Sequence, residues 1–328
     1  MFKRYFVAAL CLSFLTACPA LAAGSFEPAV LHAQVLLDRA GFSPGIIDGH
    51  RGNQLEEALK AYQTAHGLKP TGVFDDETNA LLAADKTPAV IRLTISQEEA
   101  AGPFTPIPPK LEDQAKLPAL GYADLLEELC ERYHTSPNAI AALNPTMKKA
   151  LDAGVSLMLP NVATEDHGYP DRLNPIWRNT LAGLNVAATQ PLGAMVLVDG
   201  SEGVLRVYDK GGKMVAQFPA TMGSSHDPLP VGEWKILGAS YNPVFHYNAS
   251  LFWDADDKTA QAVLPPGPNG PVGVVWLDLD KPHYGIHGTP EPTRIGRSES
   301  HGCIRLTNWD AARLSLMIRP GTPAVFQQ

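Results

Sequence analysis

The hydrophobic pattern changes its period along the chain, and this change constrains the fold more than any other feature. Up to residue 162, apolar residues recur at helical spacing, for example at Leu55, Ala58 and Tyr62. From Gly193 onward, apolar residues fall in short segments separated by Gly, Pro and Asp turns, as β-strands do. The 328 residues suffice for two or three domains. We therefore predict a multidomain α+β protein with helical units first and a β-rich domain last.

Residues 28–84 are predicted to form a small three-helix domain. A first helix spans residues 29–40, and Asn53 is expected to cap the second. The third begins at Asp75, where acidic residues suit the positive end of a helix dipole.

Residues 85–117 form a Pro-rich segment that we interpret as a connector between two folded units. Its first part, residues 89–95, alternates like a strand that packs on a neighbour. Residues 118–162 then predict helix, turn, helix and strand. Cys130 shares a helical face with apolar residues there, so we expect a buried core cysteine.

The N-terminus has the composition of a secretory signal. Lys3 and Arg4 precede an apolar segment, residues 6–17, that is shorter than the ~20 residues a membrane-spanning helix needs. We expect residues 1–22 to be removed on export to the periplasm, leaving a mature chain without a transmembrane helix. The other interpretation is a lipoprotein signal, in which Cys18 would be lipidated.

Charge and cysteine content exclude two classes of protein. The formal net charge is −8 and there is no basic stripe, so nucleic acid is not an expected partner. Beyond the signal only Cys130 and Cys303 remain, which is no disulfide framework for an exported protein.

Cys303 and His287 are the candidate nucleophile and base. Both lie in segments predicted as strands, and glycines flank the histidine and precede the cysteine. If the two strands are neighbours, thiol and imidazole can meet in a cleft, and the imidazole can stabilise the thiolate as an ion pair. His301 is close enough to Cys303 in sequence to be the base instead. For His287 we expect a backbone carbonyl to orient the ring.

The same motif offers groups for the oxyanion and the substrate. Backbone N–H groups of Gly302 and Cys303, with His301, are candidates for an oxyanion hole. A side chain at position 302 is expected to crowd the substrate. Arg305 shares a strand face with Cys303, and its guanidinium suits either a substrate carboxylate or a structural acid.

A metal site is the competing interpretation of these residues. His283, His287, His301 and Cys303 are all possible zinc ligands. On one strand, however, His283 and His287 would lie ~13 Å apart, which is too far for one metal ion. The spacing matches no zinc signature, so we expect neither a metal nor another cofactor.

Residues 193–327 resemble the catalytic domain of the L,D-transpeptidases, bacterial cell-wall enzymes, through His287-Gly288-Thr289 and the motif at 300–306. The resemblance implies a β-rich domain with one packed helix. It implies that Cys303 is the nucleophile and His287 the proton acceptor and donor. Residues around this pair are expected to support it, with oxyanion and positioning roles for Ser300, His301, Gly302 and Gly288, and substrate binding by Arg305 and Tyr284.

The implied reaction has two steps. Cys303 forms a thioester with a donor tetrapeptide stem and releases D-alanine, and an amine of a second stem then forms the cross-link, with a role in wall organisation and cell shape. Carbapenems acylate members of this family at the same cysteine. Water in place of the amine would give an L,D-carboxypeptidase, and a catalytically silent peptidoglycan-binding scaffold is the remaining possibility. The expected partner is peptidoglycan, and the expected state is a monomer.

The two N-terminal units resemble wall-binding modules. Residues 28–84 resemble the small peptidoglycan-binding domain, with a generic three-helix bundle as the other interpretation. Residues 118–162 resemble a LysM carbohydrate-binding repeat whose N-terminal strand is weakly expressed, or form a structural linker domain. Fold resemblance alone does not deliver a binding site.

Overall fold

A computed structural model describes residues 25–147, 150–251 and 261–328. The predicted signal, its cleavage site and Cys18 lie outside these ranges. Within them, no helix is both long and apolar enough to cross a bilayer.

The first unit is the predicted three-helix arrangement. It consists of α1 (Pro28–Arg39), α2 (Asn53–Ala65) and α3 (Asp76–Leu82). The face predicted for α2 is buried in the core of this unit. Asp75 caps α3 by accepting a hydrogen bond from the Thr78 N–H. Asn53 does not cap α2, because Gly52 holds the N-cap position and Asn53 is the first helical residue.

A second unit combines two strands and several helices. Its elements are β1 (Val90–Thr94), α4 (Gln97–Ala101), α5 (Leu111–Gln114), α6 (Leu125–Arg132), α7 (Pro137–Leu143) and β2 (Ser156–Pro160). The strand expected within residues 89–95 is β1, and it pairs antiparallel with β2. The segment predicted as a connector therefore supplies part of this unit's fold. Cys130 is buried on α6, as predicted.

The third unit is a β-rich domain that α8 (Pro175–Gly183) precedes. Its strands and its helix, in chain order, are β3 (Met195–Asp199), β4 (Val204–Tyr208), β5 (Met214–Pro219), β6 (Thr221–Met222), β7 (Gly232–Tyr241), β8 (Phe245–Asn248), β9 (Gln261–Leu264), β10 (Val275–Leu279), β11 (Gly285–His287), β12 (Ile304–Arg305), α9 (Asn308–Met317) and β13 (Thr322–Gln327). Short 3₁₀ turns lie at Ala249–Leu251 and Pro292–Arg294. A separate hairpin is formed by β8 and β9.

The main sheet of this unit curls into a barrel-like form. Its strand order is β5-β4-β3-β13-β7-β10-β11-β12-β6. The two edge strands, β5 and β6, are separated along the chain by Ala220 alone. The two edges of the sheet therefore approach each other at that residue. Apolar side chains of the sheet, α8 and α9 fill the interior, and its largest fully buried members are Trp177, Trp309, Phe218 and Phe326.

Helix α9 packs into this domain and also connects it to the other units. Thr307 is its N-cap and accepts a hydrogen bond from the Asp310 N–H, so Asn308 is the first helical residue. Arg313 donates two hydrogen bonds, of 2.9 and 2.7 Å, to the carboxylate of Asp38 on α1. His134, after α6, contacts the same carboxylate and stacks on Trp309. One buried ionic cluster thus joins all three units around α9.

Candidate active site

Strands β11 and β12 bring the two candidate catalytic residues to one cavity. They are parallel neighbours, with Ile286 opposite Ile304 and His287 opposite Arg305. A meeting of thiol and imidazole required these two strands to be neighbours, and the pairing confirms that they are. Cys303 itself lies on the bend immediately before β12, not within the strand. Cys303 and His287 both line a cavity of about 520 Å³.

The imidazole of His287 is held in one orientation. Its Nδ1 lies 2.7 Å from the carbonyl oxygen of Gly288, the kind of backbone partner expected for this ring. A carbonyl can only accept, so Nδ1 carries the proton and Nε2 is left as the acceptor. Trp276, opposite His287 in the β10–β11 register, stacks on the ring with centroids 5.3 Å apart.

The electrostatics of the site favour the uncharged forms of both groups. Burial, reinforced by the charge of Arg305, lowers the pKa of His287 to about 4. Burial also raises the pKa of Cys303, although a backbone hydrogen bond from Gly285 and the charge of Arg305 oppose this. The Cys303 thiol donates to the His283 carbonyl at 3.7 Å. The free protein therefore favours a neutral thiol and a neutral imidazole over the ion pair expected from the sequence.

Ser300 holds the loop that carries the cysteine. Its hydroxyl donates to the Cys303 carbonyl at 2.7 Å and accepts from the Gly223 N–H at 2.7 Å. Its own N–H donates to the Gly223 carbonyl at 3.0 Å. Ser300 is also buried. Its two bonds with Gly223 connect the 300–303 turn to the end of β6.

Two glycines of the motifs are required by close contacts inside the protein. Gly302 has φ +92°, and a Cβ there would lie 2.5 Å from the Tyr284 ring. A side chain at 302 is thus excluded by Tyr284 itself, which differs from the expected conflict with substrate. At Gly288, a Cβ would lie 2.1 Å from Oδ1 of Asn308.

The cavity walls combine predicted and unpredicted residues. His301, Tyr284 and Arg305 line it, as their assigned roles require, and His246 lines it from β8. Sequence reasoning missed most of the remaining wall, which consists of Leu111, Asp227, Phe245, Tyr247, Pro271, Val272 and Trp276. Trp276 could have been found, since it lies in an apolar segment that precedes the strand of His287 and pairs with it as a hairpin. The others carry no local signal.

Leu111 is the least expected wall residue, because it comes from the segment predicted as a connector. Helix α5, which carries Leu111, packs against β9. Further along, Leu120 donates its N–H to the Pro266 carbonyl at 2.9 Å and accepts from the Asn269 N–H at 3.0 Å. The end of the segment and the residues just after it are therefore fixed to the catalytic domain beside the cavity.

Among the residues that the structure describes, no three His, Cys, Asp or Glu side chains are grouped so that they could hold a metal ion.

Comparison with known proteins assigns both ends of the chain. Residues 193–326 match the family model of the L,D-transpeptidase catalytic domain, YkuD, and residues 27–82 match that of a peptidoglycan binding domain. Residues 118–162 lie outside both matches, so their LysM-like character stays a prediction.

Two relatives named as L,D-transpeptidases support this result. YkuD of Bacillus licheniformis is 27% identical over 200 residues, which cover 61% of this chain and 91% of the relative. A protein of Fuscovulum blasticum is 30% identical over 150 residues, covering 44% of this chain and 78% of the relative. A solved structure of L,D-transpeptidase 3 from Mycobacterium tuberculosis is 19% identical to this chain and has a TM-score of 0.35. The superposition covers 55% of this chain and 76% of the mycobacterial chain.

Proposed function

Since the chain belongs to the L,D-transpeptidase family, whose members modify peptidoglycan, we propose that it cross-links peptidoglycan through a thioester on Cys303. The observation that carries the proposal is the pairing of β11 with β12, which places His287 and Cys303 on one cavity. The Gly288 carbonyl leaves Nε2 of His287 as a proton acceptor.

In the first step, Nε2 of His287 takes the thiol proton as Sγ of Cys303 attacks the carbonyl of the third residue of a donor tetrapeptide. The bond to the terminal D-alanine then breaks, and the proton passes from His287 to the leaving amine. The lowered pKa of His287 supports this order of proton transfers, because a neutral imidazole is available to accept the thiol proton.

In the second step, the side-chain amine of another stem attacks the thioester. His287 accepts a proton from this amine, an amide bond forms, and the proton returns to the sulfur of Cys303 as the thiol leaves. If water attacks instead, the product is a tripeptide and the enzyme is an L,D-carboxypeptidase.

The remaining predicted residues have roles that suit this chemistry. Backbone N–H groups of Gly302 and Cys303, with His301, are our candidates to stabilise the oxyanion. Arg305 and Tyr284 line the same cavity, and a guanidinium there suits a carboxylate of the stem peptide. Ser300 and Gly288 position the loop and the histidine.

The wider setting follows from the substrate. The family acts on an extracytoplasmic polymer, and we place this enzyme in the periplasm after removal of residues 1–22. The N-terminal peptidoglycan-binding domain would keep the catalytic domain close to its polymeric substrate. We propose that the enzyme acts as a monomer.

The test is to incubate the chain from residue 23 onward, as wild type and as Cys303→Ala, with a disaccharide tetrapeptide and to identify products by mass spectrometry. A cross-linked dimer with released D-alanine, absent from the variant, is the expected result. Tripeptide alone would identify the carboxypeptidase. Unchanged substrate with the wild type would favour the silent scaffold and overturn the proposal.

A further inference from the structure

Glu131 is a buried carboxyl group outside the catalytic domain that contacts α9, and α9 packs beside β11, the strand of His287. It lies on α6 of the second unit and is 7% exposed. Its Oε1 accepts a hydrogen bond of 2.6 Å from Nδ2 of Asn308, the first residue of α9. We propose that Glu131 and Asn308 act as positioning residues that hold the Gly288 carbonyl, and through it the imidazole of His287, in the orientation for proton transfer.

The amide of Asn308 is fully engaged, so its orientation is determined by its partners. Nδ2 also donates to the Pro268 carbonyl at 3.1 Å. Oδ1 accepts from the Val274 N–H at 3.2 Å. The two bonds that Nδ2 donates and the one that Oδ1 accepts all assign the nitrogen and the oxygen of the amide in the same way.

Asn308 packs directly on the backbone beside the histidine. Its Oδ1 occupies the space next to Gly288, where a Cβ would come within 2.1 Å. The Gly288 N–H donates to the Val275 carbonyl at 3.3 Å, adjacent to the Val274 N–H that Asn308 accepts. A rotation of the Asn308 side chain would therefore disturb the backbone at Gly288, the residue whose carbonyl accepts from His287 Nδ1.

Through Glu131, the second unit contacts Asn308 and so affects the orientation of its amide. Burial raises the pKa of Glu131 to about 8, although bonds from Asn308 and Tyr122 oppose the shift. Replacing the carboxyl by an apolar group leaves the Asn308 amide with an unpaired buried N–H, and such groups find other partners by moving. The inference rests on the proposed function because it takes His287 as the base. The contacts of Glu131 and Asn308 are present in the free protein, whatever reaction it catalyses.

The test compares four forms of the chain from residue 23 onward, labelled with ¹⁵N-histidine: wild type, Glu131→Gln, Glu131→Met and Glu128→Gln. Glutamine keeps an oxygen that accepts from Asn308, whereas methionine keeps the length without an acceptor. Glu128 is the matched control, because it lies on the same helix and pairs instead with Arg132. The NMR signal of the His287 Nδ1 proton, assigned by its loss in His287→Gln, reports the bond to Gly288.

We expect slow solvent exchange of this proton in wild type, Glu131→Gln and Glu128→Gln. In Glu131→Met, exchange should be at least about tenfold faster. In the cross-linking assay, kcat should fall about tenfold while KM stays within about twofold, because only the base moves. A Glu131→Met variant that unfolds cooperatively but keeps wild-type proton exchange would overturn the inference.

If Glu131→Met fails to fold, Glu131→Gln decides the question, since loss of proton protection in that variant would contradict a role as hydrogen-bond acceptor. The NMR result does not depend on turnover. A wild type that is inactive but shows the expected exchange pattern would refute the proposed function and leave the positioning role supported.

Discussion

At the scale of single residues, the site is determined by burial as much as by residue type. Cys303 and His287 could be proposed from the sequence as a nucleophile and a base. Their protonation states could not, because these depend on how completely other segments exclude water from the pair. In the structure, Trp276 stacks on the buried ring of His287, and the charge of Arg305 disfavours the imidazolium.

The lowered pKa of His287 predicts an unusual pH dependence. A base with a pKa of about 4 stays unprotonated well below its ordinary value of 6.5. Acylation of Cys303 by a carbapenem, followed by intact mass, should hold constant from about pH 8 to 5 and fall about tenfold per unit below about 4. Tryptophan fluorescence at each pH serves to check folding. A midpoint near 6.5 would show that His287 is not buried as described.

Substitution of Gly302 should disable the site through backbone strain. Gly302→Ala places a Cβ against Tyr284 and requires positive φ, so we expect about 1–3 kcal/mol of lost stability and about a hundredfold lower kcat. Urea denaturation and the cross-linking assay measure the two effects. Gly238→Ala is the control, because no atom lies within 4 Å of its added Cβ. Equal behaviour of the two variants would refute this account of Gly302.

At the scale of elements, most strands and helices could be predicted, and their partners could not. Strands β3, β4 and β5 follow local apolar segments between turns, the pattern from which a β-rich domain was predicted after Gly193. The pairing of β1 with β2 joins residues more than sixty positions apart. No local pattern encodes such a partner, so β1 was assigned to a connector.

The position of α5 predicts that the connector contributes to substrate binding. Leu111→Ala removes part of the apolar wall and should raise KM about three- to tenfold, corresponding to roughly 1 kcal/mol of contact, with kcat nearly unchanged. Steady-state cross-linking with varied donor measures this split. Lys116→Ala, which removes an exposed pair with Asp113 in the same segment, should leave KM unaltered. The prediction fails if the two variants match.

At the scale of the whole molecule, the three units are joined by a buried ionic cluster around α9. Burial opposes ionisation of Asp38, but the Arg313 guanidinium and the His134 ring overcome it and hold the pKa of this carboxyl well below its usual range. Removal of Asp38 leaves buried Arg313 with only the more distant carboxylate of Asp310, at 3.5 Å, and this costs more than an exposed pair contributes.

Asp38→Asn should therefore destabilise the protein by about 3–5 kcal/mol, measured by chemical denaturation, because Arg313 remains buried. Asp171→Asn breaks a pair between Arg178 and a fully exposed carboxylate, and it should change stability by less than about 1 kcal/mol. If Asp38→Asn falls in the range of the control, the units are not held together by this cluster.

The amino-acid sequence alone determined the order of the units, the motifs at 285–289 and 300–306, and the identity of the candidate pair, since period, turns and glycines act over a few neighbouring residues. The packing of distant segments decided the rest. Leu111 and Glu131 contact the catalytic domain from segments that lie more than sixty residues before its start at residue 193. Their contacts, and the uncharged state of Cys303 and His287, exist only once all the surrounding elements are assembled.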